Sequence, residues 1–165
     1  MEWPTEIGTM CFLRDKGRTL FFYRERGAED IHNGWYVPPG GHFNRGERGI
    51  DCVIREFAEE TGLRINNPRL RQIVMFFNKD RILGGKKDRP DWYVEVYEAN
   101  KFEGMLKPER KGEKLIWVED KNVRSLKIYE CDKRIFDLLG SEGIYEAVVK
   151  YDREKLEKFE SIRVA

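Results

Sequence analysis

Nowhere in these 165 residues does an apolar run approach the roughly 18 residues that a membrane-spanning helix needs. Paired cysteines are missing too. Cys11, Cys52 and Cys131 form no C-x-x-C pair, which argues against a disulfide framework and a zinc knuckle and points to a reducing compartment, the cytoplasm. Histidine is scarce: His32 and His42 have no zinc-like partners and read as loop residues. Net charge is nearly absent, with 31 basic against 30 acidic residues, so no uniform field draws the chain to a nucleic-acid polymer or a membrane surface. The opening segment MEWPTEIGTMCFLRDKG has two acids and a proline ahead of a short apolar run, and is expected to be neither signal nor transit peptide. Repeats, low-complexity tracts and long linkers are lacking as well, so one domain over residues 1–165 is expected.

What is present is a globular composition: 40% hydrophobic and 13% aromatic. Charged residues reach 37%, against roughly 25% in an average domain. Thr9–Leu13 and Thr19–Tyr23 read as strands joined by a turn at Lys16-Gly17. Trp35–Val37 reads as a short strand stopped by Pro38-Pro39, with a glycine-rich loop after it. Further strands are expected at Leu70–Phe77, Asp91–Ala99, Leu115–Val118 and Ile144–Tyr151. Segments 78–90 and 101–114 read as loop, Gly84-Gly85-Lys86-Lys87 as a hairpin tip without P-loop spacing, and 156–164 as strand or helix.

Two helices stand out, Glu47–Thr61 and Tyr129–Leu139. On the first, Ile50, Val53, Ile54 and Phe57 share one side, and Gly62 stands at the C-terminal stop. Strands on both sides of a central helix imply an α/β (α+β) fold, a mixed β-sheet sandwiched between helices. The first helix carries an oddity. At about 100° per residue, Glu56, Glu59 and Glu60 share an arc of about 100°, in the last turns, where the macrodipole disfavours anions. Such i, i+3 and i+4 carboxylates repel one another. A compensating cation is a reasonable inference, and hard oxygen ligands suit magnesium, or manganese in its place.

The stretch GHFNRGERGIDCVIREFAEETGL runs Gly41, Glu47, Arg55-Glu56, Phe57, Glu59-Glu60, Gly62, Leu63. It resembles the Nudix box, G-x5-E-x7-R-E-U-x-E-E-x-G-U with U apolar, at every position. The seven fixed positions would match by chance on the order of 10⁻⁹ to 10⁻⁸ times per start point. The chain is thereby identified as a member of the Nudix hydrolases. The resemblance implies that Glu56 and Glu60 are principal ligands of a divalent cation and that Glu59 is a third ligand or a proton acceptor. It implies a carbonyl from Gly41 near the metal, and Glu47 paired with Arg55 to orient the loop against the helix.

Outside the box the likeness is to MutT-like enzymes, and in particular to 8-oxo-dGTP diphosphatases. It implies that Arg24 reaches substrate phosphates and that Glu109 or Glu113 joins the metal site. Tyr129 and Asp132 would line a purine pocket, with Tyr129 where a Trp is usual and Cys131 where a Gly is usual. Trp35 reads as core packing and Cys52 as a small packing residue. Asn78 stands where ADP-ribose pyrophosphatases carry a proline. Lys79, Asp80 and Arg81 stand where dinucleoside polyphosphate hydrolases carry a tyrosine. The implied activity is metal-dependent cleavage of a nucleoside triphosphate, 8-oxo-dGTP being the named candidate, to a monophosphate and pyrophosphate. Its rivals are another nucleoside diphosphate derivative and a non-catalytic nucleotide sensor. A small nucleotide is the expected partner, and a homodimer is left open.

Overall fold

The computed structural model describes residues 5–29, 33–79, 82–83, 86–87 and 89–165, the two dipeptides by backbone alone. His32, Gly84 and Gly85, named above as loop residues, lie outside them. The strands are β1 Thr5–Asp15, β2 Arg18–Arg24, β3 Tyr36–Val37, β4 Gly40–His42, β5 Leu63–Ile65, β6 Arg69–Asn78, β7 Ile82–Leu83, β8 Lys86–Lys87, β9 Asp91–Ala99, β10 Phe102–Gly104, β11 Glu113–Glu119, β12 Tyr145–Asp152 and β13 Lys155–Arg163. The helices are α1 Gly49–Thr61 and α2 Glu130–Leu138, with a 3₁₀ turn over Asp120–Ser125.

The main sheet runs β11-β2-β1-β9-β6-β12-β13, with β3 on β2 and β4 on β1. It is mixed: β1 is parallel to β9 and β12 is parallel to β6, and the other pairs are antiparallel. Lys16 and Gly17 both take positive φ, 50° and 74°, between β1 and β2. That is the two-residue turn whose twist suits a hairpin.

Alternation along the strands sorts side chains into two cores. Phe12, Val74, Val94, Val96 and Val149 face α2 and the 3₁₀ turn, where Val123, Ile128 and Ile135 meet them. Cys11, Leu13, Leu20, Tyr97 and Ala99 face α1, whose Val53 and Phe57 close that layer. The sheet therefore lies between helices, as the order of elements implies.

Several details differ from the sequence reading. The segment 155–163 is a strand, because its Leu156 and Phe159 pack on the α2-side core while the rest stays polar, the pattern of an edge strand. The charged 101–114 region contains β10, which pairs with β5 right after α1. Segment 78–90 contains the small β7–β8 pair. Trp35 precedes β3 rather than opening it, and α1 starts at Gly49. β10 is held by pairing with a strand far away in sequence, which local periodicity does not report. Among the described residues no helix is long and apolar enough to cross a membrane.

One polar cluster is buried at the sheet. Glu98 accepts from Arg14 at 3.1 Å, from Arg69 at 3.2 Å and from Arg71. Arg71 is itself buried and also donates to the Ser141 carbonyl, tying β6 and β9 to the chain leading into β12. Removing one partner of such a set leaves an unpaired buried charge. Glu98→Ala is accordingly expected to lower unfolding free energy by about 3–5 kcal/mol in urea titration.

Candidate active site

The site is assembled where β4 runs under α1. The chain enters through Pro38-Pro39 and pairs antiparallel with β1, Met10 opposite Gly40 and Thr9 opposite Gly41. A side chain at Gly40 would strike the backbone of Thr9, and one at Gly41 would strike the Glu56 carboxylate. Glycine at both places lets the strand lie against β1 and beneath the helix at once. The Gly40 amide donates to Glu60 Oε2 at 3.0 Å.

Arg55 organises the carboxylates. Its Nε and Nη2 donate to the two oxygens of Glu47 at 2.7 and 2.8 Å, a bidentate fork. Its Nη1 donates to Glu56 at 2.7 Å and reaches Glu59 at 3.4 Å, while Nη2 also meets the His42 carbonyl at 3.0 Å. Glu47 accepts the Asn44 amide as well, at 2.9 Å. The hydrogen bonds from Arg55, then the one from Asn44, hold the Glu47 carboxyl down at about 2. The expected Glu47–Arg55 pairing is present.

The clash with the helix dipole is met in part from within the protein. Arg55 neutralises much of the cluster. Lys107, from the segment after β10, donates its ammonium to the Glu59 carbonyl and its amide to the Thr61 carbonyl at 2.8 Å, supplying the cation that the last turn of α1 lacks. The sequence reading assigned that compensation to a bound ion alone.

A cavity of about 160 Å³ opens beside α1, lined by Glu56, Glu59, Glu60, Glu109 and Glu113 together with Lys107, Arg110 and Phe22. Both downstream candidates, Glu109 and Glu113, thus face the box glutamates. Burial raises the Glu60 carboxyl to about 7 against the opposing Gly40 hydrogen bond, with the charges of Glu56 and Glu113 adding to the rise. Among the described residues no three of His, Cys, Asp or Glu converge closely enough, as they stand, to hold an ion. Glu56 and Glu59 turn towards Arg55, and Glu60 towards Gly40. The donor set nevertheless fits a hard divalent cation. It is all carboxylate, it gathers on one wall, and its most buried member is held near neutrality for want of positive charge. Gly41 seats Glu56 and does not itself line the cavity; a Cβ at Gly8 would stand 3.0 Å from its carbonyl oxygen.

A second, more apolar cavity of about 360 Å³ lies on the α2 side of the sheet. Tyr129 and Asp132, expected at a purine pocket, both line this cavity. Met10, Phe76, Trp92 and Tyr151 form much of the wall, and Asn78, Arg89 and Arg153 supply polar atoms. Of these, none was singled out from sequence as a site residue. They come from β1, β6, β9, β12 and the adjoining loops, and only strand register shows that Met10, Phe76, Trp92 and Tyr151 share a face. Tyr129 packs on Trp35 with centroids 4.6 Å apart and meets Tyr151 edge-on. Trp35 therefore buttresses the wall from behind. His42 belongs to β4, where its ring lies against Trp92, tilted at 49° with centroids 4.9 Å apart, and pairs with Glu6. Asp132 is 3% exposed, and among the described residues its side-chain partner is the Cys131 thiol, at 3.5 Å. Burial pushes its carboxyl up to about 7.

Arg24, at the end of β2, spans the two cavities electrostatically. Its charge lowers the pKa of Glu60 on one side and of Tyr129 on the other.

The model of the NUDIX domain family matches residues 4–139. The chain belongs to the Nudix family. An uncharacterised Nudix hydrolase of Bacillus subtilis, YvcI, is 30% identical over 88% of this chain and 87% of its own length. A MutT protein of Bacillus halodurans has a crystal structure that covers 94% of this chain and 97% of its own, with a TM-score of 0.80 and 27% identity. A Burkholderia pseudomallei MutT NUDIX hydrolase shares the fold, with a TM-score of 0.64 over 82% of this chain and 98% of its own at 22% identity. The protein is thus a MutT-like Nudix hydrolase, an enzyme of the class that acts on phosphoric anhydrides.

The buried Asp132 gives this Nudix domain a measurable pH signature. Its carboxyl titrates at about 7 when folded and near the ordinary 3.8 when unfolded. Below the lower value both states hold the proton. Between the two only the folded state holds it, so this contribution to stability is fully present at low pH and is lost as pH rises through the window. Asp132→Asn is expected to flatten the fall in stability across that range, followed as thermal midpoint against pH.

Proposed function

We propose that the enzyme hydrolyses a nucleoside triphosphate to the nucleoside monophosphate and pyrophosphate, with oxidised dGTP as the leading candidate. The observation that carries this reading is the presence of one acidic and one aromatic cavity, with the charge of Arg24 felt by Glu60 in the first and by Tyr129 in the second. A triphosphate nucleotide has that polarity: a planar base at one end and several negative charges at the other.

Glu56 and Glu60 would hold the divalent cation, magnesium or manganese, with Glu59 beside them. Bound there, the cation neutralises phosphate charge and acidifies water. Of the two downstream acids, Glu113 is favoured, because its charge reaches Glu60 whereas that of Glu109 is felt at Lys114. Glu59 is 60% exposed on its side chain and only loosely held by Arg55, which leaves an oxygen free to accept a proton from the attacking water. Arg55 and Glu47 keep Glu56 in place. Arg24 would contact the phosphates. Asp132, whose carboxyl is raised to about 7, would offer a donor as well as an acceptor to a base edge when it holds its proton, and the ring of Tyr129 supplies a wall for the base. The three cysteines of the chain are all free and buried, which suits the reducing cytoplasm.

A turnover assay with magnesium over nucleoside triphosphates, 8-oxo-dGTP, ADP-ribose and a dinucleoside polyphosphate tests the reading. A triphosphate should be the best substrate, with monophosphate and pyrophosphate as products. Preference for ADP-ribose or a dinucleoside polyphosphate would replace the substrate class, and no cleavage of any of them would end the reading. Glu56→Gln and Glu60→Gln should each lower kcat by roughly 10²–10⁴. Gly41→Ala should raise the magnesium concentration needed for half-maximal rate, because its methyl group displaces Glu56.

A further inference from the structure

One row of backbone partners crosses the phosphate end of the site. The Arg24 amide donates to the Trp35 carbonyl at 2.9 Å, Arg24 stands opposite Glu113 on β11, and Glu113 is bridged in turn to Arg110. Two backbone hydrogen bonds close that last link. The Arg110 amide donates to the Glu113 carbonyl at 3.2 Å, and the Glu113 amide donates to the Arg110 carbonyl at 3.0 Å. Gly112, at φ 87°, makes the tight turn between them, and its carbonyl accepts the Glu25 amide at 2.9 Å. The backbone of Arg110 is thereby pinned to the sheet, although the residue is exposed.

The row has a direction. Trp35 packs on Tyr129, at the wall of the aromatic cavity. Arg24 comes next, and Arg110 lies two partners further, about 10 Å beyond it at Cα. Opposed residues of an antiparallel ladder share a face. Phe22 and Leu115 are opposed and both line the acidic cavity, so Arg24 and Glu113, two residues along on each strand, stand on the same face. Arg110 lines that cavity as well.

Arg110 shares the cavity with five glutamates, yet among the described residues its guanidinium pairs with none of them. Their commitments explain this in part. Glu113, its ladder neighbour, pairs with Arg26. Glu56 and Glu59 turn to Arg55, and Glu60 accepts the Gly40 amide. Lys107, the other cation on the cavity wall, is engaged by the Glu59 carbonyl. Of the two, Arg110 is therefore the uncommitted one. The terminal phosphate of a triphosphate is its most charged group and the furthest from the base. At the far end of the row it faces carboxylates rather than the aromatic wall, and needs a cation there. A guanidinium meets a phosphate through two parallel hydrogen bonds, which fixes its orientation as well as its charge.

We propose that Arg110 binds the terminal phosphate of a nucleoside triphosphate while Arg24 serves the phosphates nearer the base, and that Arg110 thereby selects triphosphates over diphosphates. This rests on the nucleoside triphosphate reading of the same site, and it assigns the choice of chain length to a residue outside the segment Gly41 to Leu63.

Steady-state kinetics of the full chain with magnesium, on one nucleoside triphosphate and its own diphosphate, test this. The wild type should favour the triphosphate. Arg110→Ala should lower kcat/KM on the triphosphate about ten- to hundredfold, and the triphosphate-to-diphosphate ratio about tenfold or more. Arg110→Lys should recover part of that ratio, since it keeps the charge without the fork. Inhibition by inorganic pyrophosphate supplies a second readout. In Arg110→Ala its inhibition constant should rise about tenfold relative to that of the nucleoside monophosphate. Both measures are ratios within one preparation, so a loss of folded enzyme cancels from them. A wild type that cleaves no triphosphate overturns the substrate reading and this inference with it. If triphosphates are cleaved and either ratio is unmoved in Arg110→Ala, this inference alone falls.

Discussion

The guanidinium of Arg55 is the contact on which the site depends. It reaches back eight residues to Glu47, forward to Glu56 and Glu59 and across to the His42 carbonyl. A loop, a strand and a helix are thereby locked together by one planar group. Lysine could not replace it, since a single ammonium cannot fork to both oxygens of Glu47 and still hold Glu56. The same contacts hold three carboxylates on a helix end that would otherwise expel them. The cost is partly met inside the protein, through Arg55 and Lys107, and the incomplete remainder is concentrated at Glu60.

Two acids, Glu60 and Asp132, are both raised to about 7, but by different surroundings. Glu60 is raised by burial and by neighbouring carboxylates, so an arriving positive charge reverses much of the effect. Asp132 is raised by burial alone. Environments that differ this way separate roles between chemically identical groups. On the proposed reading, the first belongs to the phosphate end of a nucleotide and the second to its base. Arg24, felt by groups in both cavities, joins the two.

The sheet that carries both cavities also leaves part of one face uncovered, where Ile7, Met75 and Val148 stand exposed. A mixed sheet this wide needs cover on both sides. The α2 side is filled along its length by α2, the 3₁₀ turn and the aromatic wall. Among the described residues the other side has α1 and the small β5–β10 pair, and α1 is held near β1 by its duty to present the glutamates next to β4. The helix that builds the site is therefore too short and too far to one side to cover β6 and β12.

Local pattern was enough for much of this. The spacing from Gly41 to Leu63 identified the family, because the chemistry needs a helix whose successive turns carry carboxylates and a glycine bend before it. Helix periodicity located α1 and α2, and the Lys16-Gly17 turn located the first hairpin. Tyr129 and Asp132 were named from a short segment resembling known relatives. What stayed hidden required distant residues to meet. Phe76, Trp92 and Tyr151 share a wall only through the registers of β6, β9 and β12. Lys107 caps α1 from a segment that reads as irregular. Periodicity along a chain shows that a residue has a face; which face, and what stands opposite, is decided by pairing between strands far apart in sequence.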